Sequence, residues 1–102
     1  MPEVLGPDAV DAALVDRGIA WSREGSELVK EVRRDGFVGA LGFVNDVGAL
    51  AEAANHHPDI DIRWNTVRLV LTTHDSGGLT LLDLALAGVV DRLRPDIRDD
   101  DG

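Results

Sequence analysis

Cysteine is absent from this chain, and so is tyrosine. Without cysteine there is neither a disulfide framework nor a thiolate metal site. The aromatic side chains are Trp21, Trp64, Phe37 and Phe43, so a core has to be assembled from Leu, Val, Ile and Ala. Positive charge is in the minority: ten Lys and Arg face nineteen Asp and Glu, for a net charge of −9. That field repels a phosphate backbone, and the arginines form no long cluster with interleaved aromatics, so no direct nucleic-acid partner is expected. The stretch MPEVLGPDAV has neither a basic n-region nor an apolar h-region, and no apolar run approaches ~18 residues. The expectation is a soluble cytoplasmic protein with no membrane partner.

What is present fits one folded domain over 1–102: the length suffices for one core, and 44% of the residues are hydrophobic. Residues 1–7 carry Pro2, Gly6 and Pro7 and read as a loose lead-in to an ordered stretch of about 7–95. PDAVDAALVDRG reads as a helix with Asp8 as N-cap, Val10, Ala13 and Leu14 inward and Gly18 as stop. Ile19 and Trp21, the turn Glu24-Gly25-Ser26, then Leu28 and Val32 read as a hairpin. From Asp35 to Asn55 the period turns helical, with Phe37, Leu41, Val44, Val47, Ala51 and Ala54 on one stripe. Gly39, Gly42 and Gly48 inside it suggest close packing on a sheet or a frayed start. After Pro58 the period is two: Ile60, Ile62 and Trp64 share a face, an Asn65-Thr66 link follows, and Val67, Leu69 and Leu71 continue inward.

A last helix runs from about Leu81 to Leu93, stopped by Pro95, and the acidic run 96–102 reads as disordered. The order α-β-β-α-β-β-α implies an α+β fold: a four-stranded antiparallel sheet with three helices packed on one face. The last helix is apolar on two sides, one through Leu82, Leu86, Val89, Val90 and Leu93, the other through Leu81, Ala85 and Gly88. One small domain can bury only one of them, which points to a homodimer or homotetramer.

The stretch EAANHHPDIDIRW concentrates the chemistry. Of three histidines, His56 and His57 sit where the helical pattern gives way to a strand, and His74 follows the next strand. In an antiparallel hairpin the start of one strand lies beside the end of the next, so the three imidazoles are expected to cluster. Histidine gives and takes protons near neutrality, its ordinary pKa being ~6.5. The plain alternative is a polar linker plus a loop histidine. A three-histidine zinc site is a further alternative, disfavoured because adjacent residues point apart and no His-x-His or i, i+4 pair is present. Thr80-x-x-Asp83 makes a capping box for the last helix, and the same carboxylate can also hold a histidine tautomer. Glu52, one turn before His56, can do likewise or sit solvated. Trp64 is expected to pack in the core rather than to wall a substrate. The turn Asp75-Ser76-Gly77-Gly78 leads to a helix start whose free amides suit polar ligand edges.

Glu52-x-x-x-His56-His57-Pro58, then Trp64, His74 and Asp83, with THDSGGLT and LLDLALA at 73–87, resembles the pterin-4a-carbinolamine dehydratase signature. The likeness is dense from Asp46 to Leu93. Two departures stand out: Asn55 replaces an acid that some members carry before the histidine pair, and KEVRRDGF lacks an aromatic pair common in relatives. The resemblance implies a hydro-lyase that dehydrates 4a-hydroxytetrahydropterin to quinonoid dihydropterin, with no metal and no cofactor. It implies catalytic roles for His56, His57, His74 and Asp83, and pterin binding by the histidines with Pro58, Thr73, Asp75 and Ser76. Glu52, Asn55 and Trp64 would support them. An aromatic amino acid hydroxylase is the implied partner in the same pathway. The competing implication is a non-catalytic dimerisation or assembly cofactor on the same scaffold.

Overall fold

The computed structural model describes residues 2–93. Helix α1, Pro7–Asp16, starts with Pro7 in its first turn and Gly6 as N-cap. Asp8 is thus not the cap but an acid inside the first turn, where it complements the helix dipole. Proline at this position needs no N–H and arrives with its φ already helical, which is why the helix starts there. Val10 and Leu14 are buried as expected. Strand β1 is only Ser22–Glu24, turned at Gly25 (φ 62°) into β2, Glu27–Arg33. Ile19 and Trp21 are buried but precede the strand. A bidentate bond from Arg23 to Asp11, at 2.7 and 3.1 Å, ties β1 to α1. It holds the Asp11 carboxyl below the usual carboxylate range, chiefly through that hydrogen bond.

Helix α2, Gly36–Ala54, is 19 residues long with mean hydropathy 1.3, long and apolar enough to cross a membrane by length and composition. Asn45, Asp46 and Glu52 interrupt it, so no unbroken apolar run of that length is present in the sequence even though the helix as a whole is apolar. Its buried face is Ala40, Phe43, Val47 and Ala51, whereas Phe37 and Leu41 are exposed. The expected stripe was therefore rotated: both stripes share Val47 and Ala51, and only the tertiary contact selects between them. The glycines are not there for close packing either. A Cβ added at Gly42 or Gly48 meets nothing within 4 Å, and one at Gly39 finds only an ordinary 3.5 Å contact.

Strands β3, Asp59–Arg63, and β4, Thr66–Leu71, pair from Asp59↔Val70 to Arg63↔Thr66. The two-residue turn is thus Trp64-Asn65, one position earlier than expected. Trp64 takes the left-handed conformation (φ 56°) and is 69% exposed, so it is neither core nor substrate wall. The strand period stops at Arg63, and extending it by one residue misplaces the indole. The sheet order is β1-β2-β4-β3, antiparallel throughout. Leu28, Val67, Leu69 and Leu71 on its helix-facing side are fully buried, each stabilising by roughly 1.5–3 kcal/mol.

Helix α3, Leu81–Asp91, buries Asp83, Leu84, Leu86, Ala87 and Val90. Leu82, expected inward, is exposed, because the stripe is offset by about one residue. Leu81 and Ala85 are exposed, as the second apolar side required. At the last turn Asp91 accepts from Ala20 N–H (2.7 Å) and Trp21 Nε1–H (2.9 Å), and pairs with Lys30 Nζ (3.0 Å). A carboxylate opposes the dipole at a helix C-terminus, and these three donors offset that. Residues 2–6 are not a loose lead-in: Leu5 N–H donates to Leu79 O at 2.8 Å. Pro95 and the 96–102 tail lie outside the described residues.

Candidate active site

Helix α2 ends because Asn55 adopts the left-handed region (φ 51°, ψ 42°), which asparagine tolerates better than most residues with a Cβ. The following amide, His56 N–H, reaches back to Ala51 O at 3.1 Å. Asparagine fits this backbone turn, as an aspartate also would. The reversal sends the two histidines apart. His56 turns inward, 11% exposed, with Nε2 2.6 Å from Asp83 Oδ1. His57 turns outward, with Nε2 2.5 Å from Glu52 Oε2.

After β4, Thr72 Oγ1 donates to Ser26 O at 2.8 Å. Thr73 bridges to Gly78, and between them His74–Ser76 forms a 3-10 turn closed by Gly77 at φ 81°. His74 is exposed, and among the described residues its imidazole has no hydrogen-bond partner. Antiparallel pairing of β3 with β4 carries this turn back beside Asn55–His57, as the sequence led one to expect.

Asp83 is fully buried, so every lone pair it presents needs a donor. Oδ2 accepts from Thr80 N–H at 2.9 Å and from Thr73 Oγ1–H at 2.7 Å. Thr80 Oγ1, 2.8 Å from Thr73 Oγ1, then donates to Thr73 while accepting Leu82 N–H at 3.2 Å. Oδ1 faces His56 Nε2. An ionised carboxylate only accepts, so Nε2 carries the proton and Nδ1 keeps the lone pair when the ring is neutral. The capping box and the histidine contact are one network.

The three histidines line one cavity of about 610 Å³, with Asn55, Thr73 and Asp75 adding polar groups. That size suits a small bicyclic ligand. Of the other residues expected at the site, Pro58 and Ser76 do not line it, Glu52 acts through His57, and Trp64 lies at the far end of the β3–β4 hairpin. Thr72, Leu82 and Pro2 line it without having been foreseen. Leu82 is signalled only by its place beside Asp83; nothing in the sequence points to Pro2. Among the described residues no three His, Asp or Glu side chains converge as ligands for one metal ion.

The arrangement is a histidine-lined cleft on an α+β sheet-and-helix domain, with one imidazole fixed by a buried carboxylate and two facing solvent. The chain belongs to the pterin 4 alpha carbinolamine dehydratase family, whose profile matches residues 3–93. It is 58% identical over 73 residues to a protein of Chloroflexus aurantiacus provisionally named pterin-4-alpha-carbinolamine dehydratase, covering 72% of this chain and 78% of that one. A Nocardia farcinica protein with the same provisional name is 44% identical over 91 residues, covering 89% and 95%. Among solved structures, a transcriptional coactivator/pterin dehydratase from Brucella melitensis superposes with TM-score 0.79 at 26% identity, covering 87% of this chain and 96% of that one. A pterin dehydratase-like protein described as a RuBisCO assembly factor in the alpha-carboxysome shares the fold, with TM-score 0.60 at 23% identity over 74% of this chain and 89% of that one.

Proposed function

We propose that this protein is a cytoplasmic hydro-lyase that removes water from a 4a-hydroxytetrahydropterin to give the quinonoid dihydropterin. The observation that carries the reading is the convergence of His56, His57 and His74 on one cavity, with Asp83 behind the first. In the reaction a proton goes to the 4a-hydroxyl, which leaves as water. N5 loses its proton, and the electron pair freed there forms the C4a=N5 double bond. Electrons and protons balance, with no oxidant or reductant. His57 and His74, the two imidazoles open to solvent, are assigned the proton transfers, one as acid and the other as base. His56, held by Asp83, presents a fixed ring edge to the pterin. The pterin would be supplied by a hydroxylase that leaves a 4a-hydroxyl on its spent cofactor, such as an aromatic amino acid hydroxylase.

Chemically generated 4a-hydroxytetrahydropterin, followed by absorbance with purified protein, tests the reading. His57→Ala and His74→Ala are each expected to lose at least about tenfold in turnover, since a placed acid or base contributes ~10²–10⁴-fold. Both are exposed, so the fold should survive. Full activity in both variants would remove the histidine mechanism. Turnover lost to a chelator and restored by zinc would favour a metal-dependent one. A non-catalytic dimerisation or assembly role is the second reading, favoured by the exposed apolar side of α2; absence of turnover in the wild-type protein would select it.

A further inference from the structure

The segment Pro2–Leu5 runs outside the turn that bears His74 and touches it at three points. Ser76 Oγ donates to Pro2 O at 2.8 Å, and Leu5 N–H donates to Leu79 O at 2.8 Å. Between them Val4 lies so close that a Cβ on Gly78 would stand 3.0 Å from its Cγ1. The inner end is fixed, since Leu5 packs against the core. The outer end reaches the cavity, where Pro2 is part of the lining. The turn itself is held by short-range backbone bonds, Thr73 N–H to Gly78 O at 3.1 Å and Gly77 N–H to Thr73 O at 3.0 Å. These fix its shape, and Thr73 Oγ1 bound to Asp83 fixes its base, while Ser76 on its outer side is held by Pro2 O. Among the described residues the His74 ring has no partner of its own, so its position follows the tilt of the turn. The family profile begins at residue 3, and the Pro2 carbonyl lies outside that matched stretch.

We infer that Pro2–Leu5 is a clamp on the 74–76 turn and one wall of the cavity, which makes Ser76 a positioning residue for His74. The inference rests on reading this cavity as the pterin site, but its structural half can be tested without turnover. Ser76→Ala removes the hydroxyl donor, and a chain lacking Pro2–Val4 removes the wall. Each is expected to raise KM about three- to tenfold, the range one lost hydrogen bond spans. Each should also move the His74 ring resonances in NMR spectra of the free protein while leaving those of His57 in place. Ser76→Thr, which keeps a hydroxyl, should restore both. Unmoved His74 resonances in Ser76→Ala overturn the clamp, whatever KM does. Moved resonances in a protein without pterin turnover would uphold the clamp and reject the proposed reaction.

Discussion

At the scale of single residues, Asp83 joins two roles through its two oxygens. One oxygen closes the N-terminus of α3 and takes the Thr73 hydroxyl; the other holds His56. The first role was legible, because Thr80-x-x-Asp83 is a local pattern. That the same carboxylate reaches a ring 27 positions away follows from antiparallel pairing and was readable only as a direction. Asp83→Asn should separate the roles poorly, since an amide places a donor against either Thr80 N–H and Thr73 O–H or His56 Nε2–H. We expect a stability loss of about 1–3 kcal/mol, the cost of an unpaired buried polar group, seen by thermal or denaturant unfolding. Turnover should fall by about tenfold or more. A destabilised variant with undiminished turnover would leave Asp83 as a cap alone. Trp64 shows the opposite case: its parity matched the strand, but the backbone reverses at φ 56° and no sequence pattern announces a tryptophan there.

At the scale of elements, all three helices and four strands were legible in order and type, because the hydrophobic period switches cleanly between about 3.6 and 2. Which face each helix buries was legible only in part. Helix α2 offers two overlapping apolar stripes, and the choice of Ala40-Phe43-Val47-Ala51 is made by the sheet it meets. Its glycines invite a direct test. Gly42 and Gly48 lie in the helix interior with open space around an added Cβ, and alanine is favoured there by roughly 0.8–1.0 kcal/mol. Gly42→Ala should therefore raise the melting temperature by about 3–8 °C, the shift that such an energy produces in a domain of this size. An unchanged or lowered melting temperature would show that the glycine serves a contact made outside this chain.

At the scale of the molecule, apolar surface is left over. Only 22% of the most apolar window of α2 is buried, and Val38, 81% exposed, stands beside exposed Phe37 and Leu41. Leu81 and Leu82 add to it at the start of α3. Covering such surface contributes ~25 cal/mol per Å², and a stable interface takes ~800 Å² from each partner. We expect a dimer or tetramer by light scattering at micromolar concentration, and Val38→Glu should lower the mass without unfolding the chain. A monomeric wild-type protein would refute the association. The sheet order β1-β2-β4-β3 also resolves the chain into two successive α-β-β units whose inner strands, β2 and β4, pair antiparallel, with α3 following both. Each unit makes one end of the molecule from the same parts: a helix-to-strand junction and the exit of the inner strand. α3 sends a carboxylate to each. At one end Asp83 meets His56 and Thr73; at the other Asp91 meets Ala20, Trp21 and Lys30. At the second end an indole and an ammonium hold the carboxylate, while at the first two of the three imidazoles, His57 and His74, are exposed. A repeated topology thus ends in two unlike poles: a carboxylate locked by an ion pair and an indole at one, and the histidine-lined cavity at the other.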